Sequence, residues 1–221
     1  KLGLELFTDV MDWDEFKDLL RSYFKAGVLD LDVPADHMIF GSLFKIARKF
    51  KVKYMLSGNN VMTEFVLPPS WNYSKFDWVN IRNIHRRFGS MPLRKLPRLG
   101  YWDVLRYQYI HSIETVHLLN YVDYHKTEVM HFLMDRLGWR DYGGKHHESI
   151  FTRFYQGYIL PNRFFIDKRK AHLSTLIFAG QLSKEEAMAE LTLPPYDPGQ
   201  QRLDYSYLAK KLDFKIGRAH V

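Results

Sequence analysis

Alternating and periodic hydrophobic positions predict strands and helices in turn along the first quarter of the chain. Residues 4–12 (LELFTDVMD) show the mixed alternation of a strand, and residues 13–24 carry apolar side chains at helical spacing. A second apolar stripe predicts a helix over 36–50, which Asp36 would cap after the loop LDLDVPADH. A short apolar run at 52–56 predicts another strand. This order of elements favours an α/β fold with a parallel sheet.

Helical patterns dominate the rest of the chain. Glycine and proline at positions 89, 92 and 97 interrupt the stretch 68–97, for which no regular element is predicted. After this stretch, a helix is predicted over 102–113, a strand over 115–122 and a helix over 127–137, which ends at Gly138. Two more helices are predicted over 148–160 and over the segment IDKRKAHLSTLIFAG. A last helix is predicted over 184–191, where Ser183 and Glu186 form a capping box at its start. After LPPYDP the chain is expected to trail off in polar and basic residues.

Composition narrows the functional classes. The 221 residues are 46% hydrophobic, enough for a core. No apolar run reaches the length of about 18 residues that a membrane span needs, so we expect no span. The chain has no cysteine, which excludes disulfides, cysteine nucleophiles and thiolate metal sites and fits a reducing compartment such as the cytoplasm. The net charge of +7 fits nucleic acid, an anionic membrane surface, a polyanionic small substrate or simply a basic protein.

A small polar turn follows the predicted strand at 52–56. It consists of Ser57, Gly58, Asn59 and Asn60, and a single acid, Glu64, comes shortly after it. In open α/β sheets ligands bind beyond the carboxyl ends of strands, so backbone amides and two carboxamides here could hold phosphate, ribose or an adenine edge. Glu64 could then hold Mg²⁺ or orient a substrate. The alternative is an ordinary turn between a strand and a helix.

Two further groups carry candidate chemistry. Asp36 and His37 lie at the start of a predicted helix, where the helix dipole disfavours a cationic histidine. A neutral His37 could therefore accept a proton. The alternative is that the two residues form a surface capping pair. None of the ten histidines lies in an H-E-x-x-H pattern, and we predict no histidine metal site.

The second group is basic and consists of Lys145, Arg153, Lys168, Arg169, Lys170 and His172, with Gln156 about one turn from Arg153. Converging cations would neutralise charge on a phosphate, whereas the alternatives are a solvated basic face or a nucleic-acid surface. No RNA-binding signature is present, and we expect no nucleic-acid partner.

Five segments together resemble a known family. They are DVPADH, KYMLSGNNVMTE, LPPSWNYSKFDWVNIRNIHRRFG, LGWRDYGGKHHESIFTRFYQGYILP and IDKRKAHLSTLIFAGQLSKEEA. In this order they resemble the N-acetyl sugar amidotransferases of bacterial surface-polysaccharide (lipopolysaccharide, O-antigen) biosynthesis, members of the PP-loop ATP pyrophosphatase superfamily. The resemblance covers about residues 1–216. It implies an α/β fold with a parallel sheet of the adenine-nucleotide α-hydrolase type, N-terminally truncated, and a helical C-terminal region.

The resemblance also implies a reaction, with ATP and Mg²⁺ as cofactors. ATP adenylates an amide or carboxyl oxygen of a nucleotide-linked N-acetyl sugar, and ammonia then replaces that oxygen. A separate glutaminase subunit, similar to that of histidine biosynthesis, would supply the ammonia, since this chain has no cysteine for the usual glutaminase nucleophile. The alternatives are another PP-loop reaction, such as tRNA modification, or a non-catalytic subunit that docks the glutaminase.

The same resemblance assigns roles to the candidate residues. Glu64, Asp36, His37 and Lys145 would be catalytic, with Glu64 near the metal or the attacking ammonia. The residues that would bind nucleotide or substrate are Ser57, Gly58, Asn59, Asn60, Trp71, Arg153, Gln156, Lys168, Arg169 and His172.

Two parts of the family pattern are missing from this sequence, namely the phosphate-binding loop Ser-Gly-Gly-x-Asp-Ser and an N-terminal cysteine cluster. The sequence is therefore expected to be the C-terminal part of a longer enzyme and to be inactive alone. The expected divisions are 1–92 as the remainder of the nucleotide domain, 93–138 as its helix–strand–helix continuation, 139–216 as a helical substrate and phosphate region, and 217–221 as a tail artefact.

Overall fold

The structure is a computed structural model that describes residues 3–64, 66–142 and 147–215. The chain forms two compact units. The N-terminal unit contains residues 3–56 and 69–116, and the C-terminal unit contains the described residues of 57–68 and 117–215. The short segment after the first strand thus belongs to the C-terminal unit, although it lies early in the sequence.

The described residues are mostly helical. The elements are α1 (Trp13–Ala26), α2 (Val33–Lys49), β1 (Tyr54–Leu56), α3 (Val61–Glu64), a 3₁₀ turn (Pro69–Trp71), α4 (Trp78–Phe88), α5 (Tyr101–Leu105), a π segment (Arg106–Ile110), β2 (Glu114–Val116), a 3₁₀ turn (Leu118–Tyr121), α6 (Lys126–Leu137), α7 (Ile150–Phe154), a π segment (Tyr155–Ile159), α8 (Leu160–Phe164), α9 (Lys168–Phe178), α10 (Lys184–Thr192) and α11 (Pro198–Lys211).

The sheet is parallel, as the sequence predicted, but small. Within the described residues β1 pairs only with β2, in the register Tyr54 with Glu114 and Leu56 with Val116. The described chain is therefore a mostly helical α/β structure. A larger sheet of the adenine-nucleotide α-hydrolase type stays a prediction.

Local capping explains the helices that the sequence predicted correctly. The side chain of Asp12 accepts a hydrogen bond from the amide of Glu15 at 3.1 Å and starts α1. Ser183 and Glu186 form the predicted capping box of α10, with a 3.1 Å bond from the Glu186 amide to the Ser183 hydroxyl. Gly138 ends α6 in the left-handed conformation, with φ 69°. These signals depend on residues three or four apart, so a sequence pattern contains them.

Two predictions near the N-terminus are wrong. Residues 4–12 form no strand, because no described strand pairs with them, and Leu4, Leu6 and Val10 are about four-fifths exposed. Helix α2 begins at Val33 rather than at Asp36, since Pro34 suits the first turn, where its missing N–H is not needed. Asp36 therefore lies inside the first turn and does not cap the helix.

Three other regions also differ from the prediction. The stretch 68–97 contains α4, which starts where the Asp77 side chain accepts from the Asn80 amide at 2.9 Å. The predicted strand over 115–122 ends at Val116, and a 3₁₀ turn follows it. The C-terminal part does not trail off but forms α11, which Asp197 caps through the Gln200 amide at 2.7 Å.

Each unit has its own hydrophobic cluster. In the N-terminal unit, Phe44 of α2 packs with Leu99 and Ile113. In the C-terminal unit, Phe154 packs with Leu208 of α11 and with Tyr196, which precedes that helix. The helix that the sequence did not predict therefore supplies part of the second core.

Candidate functional site

The candidate residues from the sequence are divided between the two units. Asp36, His37 and Trp71 lie in the N-terminal unit. The C-terminal unit contains Ser57, Gly58, Asn59, Asn60, Glu64, Arg153, Gln156, Lys168, Arg169 and His172. Lys145 and the side chain of Glu64 lie outside the described residues. The roles assigned to all these residues stay predictions, and their surroundings are described unit by unit.

The polar turn at 57–60 directly follows β1 in the chain and leads into α3. The carboxamide oxygen of Asn60 accepts from the amide and the hydroxyl of Thr63 at 3.0 and 3.2 Å. Asn60 is 6% exposed, so its side chain caps α3 from inside the unit. The hydroxyl of Ser57 accepts from the amide of Asn59 at 3.1 Å.

These contacts limit what the turn can bind. A third amide, that of Val61, donates to the carboxamide oxygen of Asn120 at 2.9 Å. The amides of Asn59, Val61 and Thr63 are therefore all engaged by side chains and do not form a phosphate grip. The Asn59 side chain is exposed, and the space beside Gly58 is open, with no atom within 4 Å of an added Cβ. These three amides are thus not available to a phosphate, whereas the exposed carboxamide of Asn59 is placed to contact an uncharged polar group.

The middle of α9 lies close to this segment. The amide of Val66 donates to the Thr175 hydroxyl at 3.1 Å, and that hydroxyl donates to the Ala171 carbonyl at 3.0 Å. These bonds and the contact of α3 with α9 bring the polar segment and the His172 region of α9 together within one unit. That these two regions act together in one site stays a prediction.

Arg153 is committed to a structural pair. Its guanidinium binds both carboxylate oxygens of Asp204, with Nε 2.8 Å and Nη2 3.0 Å away, and Nη1 donates to the His147 carbonyl at 3.1 Å. Tyr196 and Gln200 also donate to Asp204. Burial would raise the pKa of the Asp204 carboxyl, but hydrogen bonds from Arg153, Tyr196 and Gln200 outweigh it and lower that pKa. The pair joins α7 to α11.

Arg169 and Lys168 also have partners. Arg169 binds the carboxylate of Asp167, with Nη2 2.7 Å from Oδ2, and its Nη1 donates to the carbonyls of Glu190 and Leu193 at 3.2 and 2.9 Å. These last bonds satisfy carbonyl groups at the C-terminal end of α10. The ammonium of Lys168 lies 5.6 Å from the centroid of the Tyr155 ring. Gln156 is half-buried in the π segment that follows α7.

His37 is a core residue of the N-terminal unit. It is fully buried, so the alternative reading as a surface capping pair is wrong. Nδ1 lies 2.6 Å from the Lys75 carbonyl, and the ring stacks on Trp78 with centroids 5.5 Å apart. Burial lowers the pKa of the imidazole, although hydrogen bonds to the carbonyls of Lys75 and Pro97 act in the other direction.

The other two candidates in this unit lie at its surface or near it. Asp36 is 3.4 Å from the ammonium of Lys75, which also binds the buried Asp30 at 2.5 Å. Trp71 ends a 3₁₀ turn and is half-buried. Within residues 3–64, 66–142 and 147–215 there is no group of three or more acids and histidines that could hold a metal ion. Mg²⁺ often needs only one or two carboxylates together with substrate phosphates, so the predicted Mg²⁺ is not tested by this finding.

The sequence reasoning missed a pocket of about 420 Å³ in the N-terminal unit. It is lined by Trp78, Arg82, His85, Arg86, Gly89, Ser90, Met91, Pro92, Leu93 and Arg98. The available signal was the pair of arginines four residues apart in NIRNIHRRFG, which share one face once this stretch is a helix. Because no helix was predicted there, the pair was not recognised.

One comparison with known proteins gives a match. Residues 148–217 match the family described as LPS biosynthesis protein WbpG-like, C-terminal domain. The match covers 70 of the 221 residues and includes the helices α7 to α11. No curated protein and no solved structure matches the chain. This part of the chain is thus similar to a lipopolysaccharide biosynthesis family, in agreement with that part of the predicted resemblance. Among the described residues, no helix combines the length and apolar character needed to cross a bilayer.

Proposed function

We propose that this chain belongs to an ATP-dependent amidotransferase of bacterial surface-polysaccharide biosynthesis that acts on a nucleotide-linked N-acetyl sugar. The observation that carries the proposal is the match of residues 148–217 to a lipopolysaccharide biosynthesis domain. The order of the family-like segments along the rest of the chain supports the reaction type.

The geometry of the polar turn supports a sugar as the ligand there. The amides of Asn59, Val61 and Thr63 are engaged within the unit, whereas the carboxamide of Asn59 is exposed beside the open space at Gly58. A carboxamide has both donors and an acceptor, so Asn59 can pair with the N–H and C=O of an N-acetyl group at once. In this proposal Asn59 orients the amide that reacts.

The chemistry requires activation of that amide. Bound ATP would supply the adenylyl group that converts a poor leaving oxygen into a good one, and ammonia from a glutaminase subunit would then attack the carbon. The acid nearest in sequence, Glu64 at the end of α3, would take up a proton from the attacking ammonia. The capped and packed position of α3 on α9 gives this acid a fixed backbone.

The test uses the whole polypeptide that the gene encodes, with ATP, Mg²⁺, ammonium and UDP-N-acetyl sugars. We expect AMP release that depends on both the sugar and ammonia, together with the mass change for replacing an oxygen by NH. An Asn59→Ala variant should raise KM for the sugar, and an Asn72→Ala variant, which changes an exposed asparagine of the other unit, should not. AMP release that depends on tRNA, or a complex with the glutaminase that releases no AMP, would overturn the proposal.

A further inference from the structure

The pocket of the N-terminal unit has the properties of an anion site. It lies between α4 and the loop 89–98, and its volume of about 420 Å³ is in the usual range for small-molecule sites. Its lining contains three arginines and no acid. We propose that this pocket binds the diphosphate group of a phosphorylated ligand, such as a nucleotide sugar or ATP.

The wall formed by the loop is held in place without any ligand. Asp18 of α1 accepts from the amides of Ser90 and Met91 at 2.8 and 3.2 Å. One turn earlier, Glu15 accepts from the amides of residues 94–96 at 2.9 to 3.2 Å. Two buried carboxylates therefore fix the loop, and a ligand need not spend binding energy on ordering it.

The end of α4 is also adapted to this arrangement. The imidazole of His85 is buried, and its Nε2 lies 2.8 Å from Asp18. A Cβ at Gly89 would collide with this ring, so only glycine lets the chain turn there into the pocket wall. The pocket thus depends on packing that reaches back to α1.

The arginines of the pocket are available for a ligand. Arg82 and Arg86 are exposed and lie one turn apart on α4, which places both on one face. Within the described chain neither forms an ion pair or a hydrogen bond, and Arg98 makes one long contact, 3.4 Å to the Leu93 carbonyl. The nearby acid, Asp18, is already used by Ser90, Met91 and His85.

The helix dipole does not account for this cluster. A cation in the last turn of a helix is favourable by itself, and this explains Arg86. It does not explain Arg82, which is a turn further from the helix end, or Arg98, which lies on the loop. One guanidinium group can donate two hydrogen bonds to the oxygens of a phosphate. Three arginines can therefore bind the oxygens of two linked phosphates.

The remaining lining indicates what the diphosphate is attached to. Trp78, Met91, Pro92 and Leu93 provide apolar surface beside the arginines. An indole ring can lie against a nucleobase or the apolar face of a sugar. A ligand with an anionic diphosphate in its middle and a flat, partly apolar group at its ends fits this lining of arginines and apolar side chains. The choice of a nucleotide sugar or ATP rests on the proposed function, whereas the anion site itself does not.

The first experiment measures binding of inorganic pyrophosphate to the purified chain by calorimetry at constant ionic strength. We expect Arg82→Ala and Arg86→Ala each to weaken binding by roughly tenfold, the cost of losing one charged hydrogen-bond partner. The matched control is Arg87→Ala, which removes the same charge from an exposed position of α4 outside the pocket lining. The control should change binding little.

Further arms identify the ligand and separate this proposal from the proposed function. Competition of pyrophosphate with UDP-N-acetylglucosamine, but not with ATP, supports the nucleotide sugar, and the reverse pattern supports ATP. Equal losses in the Arg87→Ala and Arg82→Ala variants, pyrophosphate binding no tighter than that of sulfate, or a preference for RNA would overturn the site. If the chain binds pyrophosphate but the whole polypeptide shows no amidotransferase turnover, the anion site stands and the proposed function is overturned. If turnover is observed but the arginine variants bind pyrophosphate as tightly as the wild type, the proposed function stands and the anion site is overturned.

Discussion

Oδ2 of Asp18 lies 2.8 Å from Nε2 of His85, and this contact joins α1 to α4 beneath the loop of the pocket. An ionised carboxylate only accepts hydrogen bonds, so Nε2 carries the proton that is shared. The Ser90 hydroxyl donates to the other oxygen of Asp18 at 2.6 Å. Burial would raise the pKa of Asp18, but the hydrogen bonds from Ser90, His85 and Met91 outweigh it and lower the pKa to about 2.

The low pKa of Asp18 predicts that the protein loses folding stability at acid pH. Because this pKa lies below the ordinary value of 3.8, the stabilisation by the carboxylate is present above about pH 4 and is lost as the pH falls towards 2. The stabilisation at stake is on the order of 2 kcal/mol. Urea unfolding between pH 6 and pH 2.5 should therefore show a smaller loss of unfolding free energy for Asp18→Asn than for the wild type. An Asp14→Asn variant of the same helix, changed at a largely exposed side chain, should behave as the wild type does. Equal pH slopes for Asp18→Asn and the wild type would contradict the prediction.

The Arg153–Asp204 pair predicts a structural role for a residue that the sequence suggested for phosphate binding. Asp204 is 3% exposed and has four donors to satisfy it, including both arms of the Arg153 guanidinium. Asp204→Asn should lower the unfolding free energy by about 2–4 kcal/mol, since it leaves a mostly buried guanidinium without its counter-charge. Thermal and urea unfolding measure this loss, and Asp135→Asn, at an exposed position of α6, is the control. A loss no greater than that of the control would show that the pair does not stabilise the C-terminal unit.

Replacing each of two buried tyrosines with phenylalanine is expected to change the unfolding free energy differently. The hydroxyl of Tyr23 has no hydrogen-bond partner within the described chain, whereas that of Tyr196 donates to Asp204. Burial and nearby acids, Asp30 and Asp77, raise the pKa of Tyr23, so the group stays neutral. Tyr23→Phe should leave stability unchanged or raise it by up to about 1 kcal/mol, and Tyr196→Phe should lower it by about 1–2 kcal/mol. Unfolding curves of the two variants serve as controls for each other, and similar losses in both would contradict the assignment.

The sequence predicted features whose causes are local and missed those whose causes are distant. Helix α10 follows from a capping box within four residues, and the parallel pairing of β1 and β2 agrees with the predicted order of elements. Helix α4 has few buried apolar residues, and its end is fixed by Asp18, far away in the sequence. The prediction of strands also failed at residues 4–12, because alternation alone does not supply a partner strand.

The candidate site shows the same limit. The sequence assigned the turn at 57–60 and the α9 region to different divisions of the chain, whereas the structure places both in one unit. The sequence also could not show which side chains are already engaged. Arg153 looks like a free cation until α11 brings Asp204 to it. His37 looks like a surface residue until Trp78 of α4 covers its ring. Both partners belong to helices that the pattern did not predict, so these contacts of Arg153 and His37 could not be predicted either.

Glu64 provides the sharpest test of the proposed reaction. Because it would accept a proton from the attacking ammonia, Glu64→Gln should lower kcat for sugar-dependent AMP release by about a hundredfold or more. The Asn60 side chain caps α3 and the Thr175 hydroxyl accepts from the Val66 amide, so these contacts hold the backbone and the unfolding free energy should change little. The control is Glu185→Gln, which removes an exposed acid from the first turn of α10. Both variants are assayed in the whole polypeptide, and wild-type kcat in Glu64→Gln would remove Glu64 from the mechanism while leaving Asn59 to be tested by its effect on KM.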